Sequence, residues 1–322
     1  MDGRLFEIGR RSFDTPEFRG LEFIEVEARS VINRVPGGMP FDYTINPYRG
    51  CSHACVYCFA RVTHTYLDMS AGRDFETKIV VKVNAPEVVR RELAAARWRG
   101  DPIAMGTATD PYQRAEGRYR LMPGILRALI DYRNPFSILT KGTLILRDLD
   151  LLREAAAVVG VSTAFSIATL DEELWRRTEP GTPNPRRRIE AVAELNAAGV
   201  PCGVLVAPVL PGISDRPGML REVVRASLDA GATHVSPILL HLRPGVREEF
   251  LRWLEETYPD LVPRYQRTYR TPYAPAAHRR ALGRMVGRMV RALGGVRPAS
   301  VPRRWRPSEL SEPAAATQLT LV

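Results

Sequence analysis

The chain has 322 residues, 45% of them apolar or aromatic and 25% charged, a mixture that fits one large core or two smaller ones and excludes disorder of the whole chain. It holds no run of about 18 apolar residues, and its N-terminus, MDGRLFEIGRRSFDTPEFRG, has no signal-peptide core, so neither a membrane span nor export is expected and a cytoplasmic location is the default. A formal charge of +10 favours an anionic partner, of which nucleic acid is the commonest.

In chain order, residues 1–40 form an N-terminal extension with few clear signals, expected to wrap the main domain or remain partly disordered. The core domain, residues 41–245, alternates β-branched runs with amphipathic patterns. Strands are expected at Ile79 to Val83, Ile103 to Thr107, Phe136 to Thr140, Val161 to Ile167, Gly203 to Ala207 and His234 to Leu239. Helices are expected at Pro86 to Trp98, Tyr119 to Tyr132, Asp148 to Val158, Arg186 to Ala198 and Met219 to Ala230, several opened by Pro or Asp and closed by Gly199 or Gly231. About six parallel βα units in a barrel or open α/β sheet follow, and such folds bind ligands at the carboxyl ends of their strands.

Residues 246–308 form a basic helical region. No acidic residue occurs from His278 to Ser308, and a helix over Pro275 to Leu293 places Arg280, Arg284, Arg288 and Arg291 along one face, a stripe suited either to phosphates or simply to water. The segment 309–322 is polar, Ala-rich and expected to be a flexible tail.

The chain has four cysteines, three of them within eight residues, so a disulfide scaffold is excluded and metal ligation is favoured. In NPYRGCSHACVYCFAR, Cys51, Cys55 and Cys58 stand in C-x3-C-x2-C spacing, which lets one loop wrap three corners of an inorganic cube. Soft thiolates select iron–sulfur or zinc, and three ligands leave one iron of a four-iron cluster open. A zinc site completed by His53 or His64 is the alternative, and would make the chain a non-catalytic nucleic-acid-binding protein. A cluster serving only electron transfer or sensing of DNA is a third. Cys202 reads as a small buried hydrophobe.

The cysteine spacing, with Tyr57 before the last thiol, resembles the radical S-adenosylmethionine (SAM) signature. That resemblance implies a radical SAM partial TIM barrel, a [4Fe-4S] cluster on Cys51, Cys55 and Cys58, and SAM chelated to the open iron. It also implies reductive cleavage of SAM to a 5′-deoxyadenosyl radical that abstracts hydrogen from a substrate, and an electron donor such as flavodoxin or ferredoxin.

Further segments, MGTATDPYQ, TKG, STAFSIATLDEELWRRTEPG and VLVAPVLPGISD, are similar to the spore photoproduct lyase-related branch. They imply cofactor contacts from Tyr57, Thr109, Asp110, Lys141, Ser166 and Arg188. Each has a plainer role open to it: a turn cap for Thr109, a solvated charge for Lys141, a backbone bond for Ser166, and pairing with Glu190 or Glu194 for Arg188. The lesion-repairing lyases carry a cysteine as hydrogen donor where this chain has Thr107, whose O–H bond is too strong for that task. The Gly-Gly-Glu amine-binding motif is absent, and GTATD stands in its place. Finally, Gln318 to Val322, QLTLV, is similar to the pentapeptide that docks on the DNA sliding clamp.

Overall fold

A computed structural model describes residues 5–35, 39 and 41–295. The arginines beyond residue 295, Trp305 and the clamp-like pentapeptide Gln318 to Val322 lie outside the described residues.

Among the described residues eleven strands form two sheets. They are β1 (Leu5–Ser12), β2 (Glu22–Ala28), β3 (Ile32–Arg34), β4 (Tyr43–Ile45), β5 (Tyr48–Arg49), β6 (Lys78–Lys82), β7 (Ile103–Met105), β8 (Phe136–Thr140), β9 (Val161–Ser166), β10 (Cys202–Val209) and β11 (Val235–Leu239). The larger sheet runs β11-β10-β9-β8-β7-β4-β3. Its strands from β4 to β11 are parallel and β3 is antiparallel, so β11 and β3 are free edges and the barrel is not closed. The fold is thus the expected α/β partial barrel of six parallel strands, with one exchange of membership.

Lys78–Lys82 does not belong to that set. As β6 it pairs with β2 and β5 in a second, four-stranded sheet, β1-β2-β6-β5. The first parallel strand is β4, whose three residues are too few to show a period. The N-terminal extension is strand-forming: β1 and β2 make an antiparallel pair, and β3 pairs with β4. Extension and core are therefore interleaved across the two sheets.

The connecting helices follow from amphipathic spacing. Leu121–Asp131 buries Ile125, Leu126 and Leu129, and Pro185–Ala197 opens with Asn184 Oδ1 accepting from the Arg186 N–H at 2.8 Å. The basic helix, Ala276–Ala292, packs on β11 and on helix Pro217–Asp229 through Leu282, Val286 and Val290. Helices Val246–Thr257 and Val262–Thr268 close a second apolar core, in which Phe250, Leu254, Tyr265 and Tyr269 meet Leu240, Leu242, Cys55 and Tyr57. The cysteine loop is held from both sides by packed structure. No helix among the described residues is long and apolar enough to cross a membrane.

Candidate active site

The three clustered cysteines follow the short strand β5, in the connection that leaves the carboxyl end of β4, where this fold class places chemistry. The Cys51 N–H donates to the Phe75 carbonyl at 2.9 Å and the Cys58 N–H to the Cys55 carbonyl at 3.2 Å. Arg61, nearly inaccessible to solvent, donates to the Cys55 carbonyl through Nε and Nη2 at 3.2 and 3.0 Å and pairs with Glu76.

A second loop, Thr178 to Pro183, clamps the first: Val56 N–H reaches the Thr178 carbonyl at 3.1 Å and Gly181 N–H the His53 carbonyl at 3.0 Å. The approach is so close that a Cβ on Gly181 would lie 2.0 Å from the Ser52 carbonyl oxygen, which leaves glycine as the residue that fits.

Cys51, Cys55 and Cys58 line one cavity of about 190 Å³, together with the strand-end residues Gly106 to Asp110, Thr140, Lys141, Ser166, Ala207 and Leu240. Burial pushes all three thiols up, Cys51 and Cys55 far above the ordinary range, so the thiolate form requires a cation to offset the lost hydration. Among the described residues no three His, Cys, Asp or Glu side chains are arranged as the shell of a single metal ion. A cubane holds its thiolates further apart than one ion does, and three soft sulfurs at one buried cavity fit that group. His53 is buried at the cavity wall with Nδ1 3.3 Å from Asp110 Oδ2.

The other proposed contacts separate into two kinds. Lys141 lines the cavity, its Nζ 2.8 Å from Ser166 Oγ and 2.9 Å from Glu179 Oε1, and Ser166 Oγ donates to the Ala207 carbonyl at 2.8 Å. Tyr57 also lines it, its hydroxyl donating to Glu179. These three line the cavity and are joined to one another or to Glu179 by hydrogen bonds.

Thr109 and Asp110 line the cavity too and are also tied into the scaffold. Thr109 Oγ1 donates to the Gly50 carbonyl at 2.7 Å and accepts from Gln113 Nε2 at 2.9 Å, while Gln113 Oε1 accepts from the Ser52 N–H at 2.9 Å. Asp110 accepts from Thr140 Oγ1 at 2.6 Å, the Lys141 N–H at 2.7 Å and the Tyr112 N–H at 2.9 Å. Burial alone would raise its carboxyl, but His53 and these donors outweigh it and hold the group below the usual carboxylate range.

Arg188 corrects the expectation made for it. It is fully buried and does not line the cavity; its Nη2 lies 2.6 Å from Glu179 Oε2 and its Nη1 donates to the Ser166 carbonyl at 3.0 Å. Neither Glu190 nor Glu194 is its partner.

Glu179, matched together with Arg188 by the resemblance but given no role, is the residue that sequence reasoning undervalued. It is buried and touched by Arg188, Lys141 and Tyr57. Burial would raise its carboxyl, but the two cations prevail and hold it at about 2. Gln113 and Asn46 were missed as well: Asn46 Oδ1 accepts from the Ala108 N–H at 3.1 Å and sits within 3.4 Å of Thr107 Oγ1. Cys202 is a buried strand residue, as expected.

Residues 45–236 match the family model of the Radical SAM superfamily. The chain belongs to that superfamily. It is an enzyme of the radical SAM type, and the family implies an iron–sulfur cluster, SAM and an electron donor. The chain is 50% identical over 295 residues to the uncharacterized protein Rv2578c of Mycobacterium tuberculosis, covering 90% of this chain and 87% of the relative. It is 28% identical over 242 residues to the uncharacterized protein MJ0683 of Methanocaldococcus jannaschii, covering 74% and 85%. Among solved structures, spore photoproduct lyase complexed with dinucleoside spore photoproduct is similar at TM-score 0.63 and 16% identity, covering 84% of this chain and 79% of that one. The likeness to the lyase is one of fold.

Proposed function

We propose that Cys51, Cys55 and Cys58 would hold a [4Fe-4S] cluster, that Lys141 and Ser166 at the strand ends would help to hold SAM, and that the loaded protein would abstract hydrogen from an unidentified substrate. When bound, the cluster and SAM supply the electron and the 5′-deoxyadenosyl fragment for that abstraction. One observation carries this reading: three thiols, those of Cys51 and Cys55 buried and that of Cys58 half-buried, meet one lysine at the same cavity, at the carboxyl ends of parallel strands.

The chain's own residues do the positioning. Lys141 offers its ammonium to the SAM carboxylate, and Glu179 fixes where that ammonium stands by accepting one of its three protons. Tyr57 and Ser166 flank that ammonium and would contact polar groups of SAM. Arg188 acts one layer behind, holding Glu179 and the Ser166 carbonyl in place. Thr109, Gln113 and Asp110 tie the cysteine loop to the ends of β7 and β8, so the thiols are fixed before metal arrives. The apolar wall formed by Leu205, Ala207, Pro208 and Leu240 excludes water from a reactive carbon centre.

Thr107 lines the cavity where a repairing lyase needs a thiol, and a hydroxyl cannot return a hydrogen atom to a carbon radical. Lesion repair of that kind is therefore not part of this proposal. The electron donor is proposed to be a small protein such as flavodoxin or ferredoxin.

The test is anaerobic reconstitution with iron and sulfide followed by dithionite and SAM. Release of 5′-deoxyadenosine by the wild type and not by Cys55→Ala is expected; equal release by both, or none by either, overturns it.

A further inference from the structure

Beyond the strand-end polar groups, the cavity opens onto a wall of a different kind. Phe59, the residue after the third cysteine, and His241 both line it. Their ring centroids are 5.5 Å apart at 39°, and His241 stands 5.7 Å from the Tyr273 ring at 32°. Three rings thus lie in a tilted row, within the range of favourable aromatic contacts. The two ends of the row are cationic: Arg243 Cζ lies 5.9 Å from the Phe59 centroid and Arg279 Cζ 5.7 Å from that of Tyr273.

The row is built into the fold. His241 and Tyr273 form an antiparallel bridge, the Leu242 N–H donates to the Pro272 carbonyl at 2.7 Å, and Leu240, Leu242 and Ala274 are buried beneath. Its upper faces are open, with Phe59 36% and Tyr273 46% exposed.

Three residues after Tyr273 the basic helix Ala276–Ala292 begins. Its Arg280, Arg284, Arg288 and Arg291 are all exposed, and none has an ion-pair partner among the described residues. They recur about once per turn, roughly 6 Å apart along the axis, a step commensurate with the phosphate repeat of an extended strand.

We propose that the row Phe59–His241–Tyr273, flanked by Arg243 and Arg279, stacks the bases of a single-stranded nucleic acid beside the cavity, while Arg280, Arg284, Arg288 and Arg291 follow its phosphates. This names the substrate class of the site and rests on the radical SAM reading of the cavity. The strand is unpaired, because a nucleoside reaching the walled cavity must leave its stack, and rings that read any base by its face are the usual means of holding unpaired strands. A purely solvated helix face would not require an aromatic row fixed by backbone bonds at the cavity mouth.

The experiment is fluorescence anisotropy with reconstituted full-length protein. The probes are a labelled DNA strand roughly 12 nucleotides long, the RNA strand of the same sequence and the DNA duplex. Polyglutamate and phosphatidylglycerol vesicles serve as competitors, and a salt series accompanies each probe. A strand is expected to bind more tightly than the duplex. Tyr273→Ala and His241→Ala should each weaken it roughly tenfold, whereas Tyr273→Phe, which keeps the ring, should bind as wild type does. Should the alanine variants fail to fold, the exposed pair Arg284→Gln/Arg288→Gln should lower the log–log salt slope by about 1.4.

Lack of strand binding, tighter duplex binding, displacement by polyglutamate or vesicles in preference to unlabelled strand, or wild-type binding by the ring and arginine variants each overturns the proposal. Deoxyadenosine release without nucleic acid is read on the same preparation. Release without strand binding removes the strand site alone, and strand binding without release removes the catalytic reading alone.

Discussion

The two walls of the cavity are made differently. On the side of β4, β7, β8 and β9, charged and polar groups are buried and tied to one another: Glu179 is 3% exposed between Arg188, Lys141 and Tyr57, and Asp110 accepts from three donors while facing His53. On the side of β11, Ile238 is 40% exposed, Phe59 and Tyr273 are open, and ring contacts replace buried ion pairs. A buried polar network is rigid because breaking any one bond strands a charge, whereas an open ring surface adapts. A cofactor of fixed shape suits the first wall, and a substrate that must enter and leave suits the second.

Substitutions can break or sharpen this contrast. The largest effect is expected at Glu179: Glu179→Leu leaves Arg188 buried without its carboxylate and should cost about 3–5 kcal/mol in urea unfolding. A carboxyl held at about 2 stabilises the fold above its unfolded value and loses that contribution as pH falls towards about 2. The acid limb of a stability profile should accordingly flatten in Glu179→Gln.

Next comes Lys141→Met. Removal of its charged hydrogen bond should weaken SAM binding by about 1.5–3 kcal/mol in equilibrium titration while iron content stays that of wild type; unchanged affinity would detach Lys141 from the cofactor. Gly181→Ala forces a methyl against the Ser52 carbonyl and should cost about 1–3 kcal/mol and lower iron loading. Smallest of all, Ile238→Ser on the open wall should move stability by no more than about 0.5 kcal/mol. A loss there equal to that of Gly181→Ala would erase the difference between the walls.

Much of the rigid wall was legible in the sequence. The cysteine spacing is local, and the strands Phe136–Thr140, Val161–Ser166 and Val235–Leu239 are long enough for their β-branched runs to show, so the strand ends carrying Lys141 and Ser166 could be located. What escaped depends on contacts between distant segments. Tyr43–Ile45 has three residues and no visible period, and Lys78–Lys82 reads as a parallel strand until its partner β2 is known. Arg188 has Glu190 and Glu194 on its own helix, but at two and six residues' distance neither faces it, and its partner is Glu179, which lies before the helix begins.

Thr109 stands at the cavity as its position implies, but that its hydroxyl also donates to the Gly50 carbonyl depends on a contact between distant segments. The open wall was not legible at all. Phe59, His241 and Tyr273 are far apart in the chain; one backbone bridge brings His241 to Tyr273, and Phe59 meets His241 by ring contact.

The central claim is that three thiols hold a cluster with one corner free for SAM. Its most direct measurement is electron paramagnetic resonance of the anaerobically reconstituted, dithionite-reduced protein, recorded before and after SAM is added. A reduced four-iron signal that changes on adding SAM, and is missing in Cys55→Ala, is the predicted result. A protein that takes up no iron, or a signal indifferent to SAM, would contradict it.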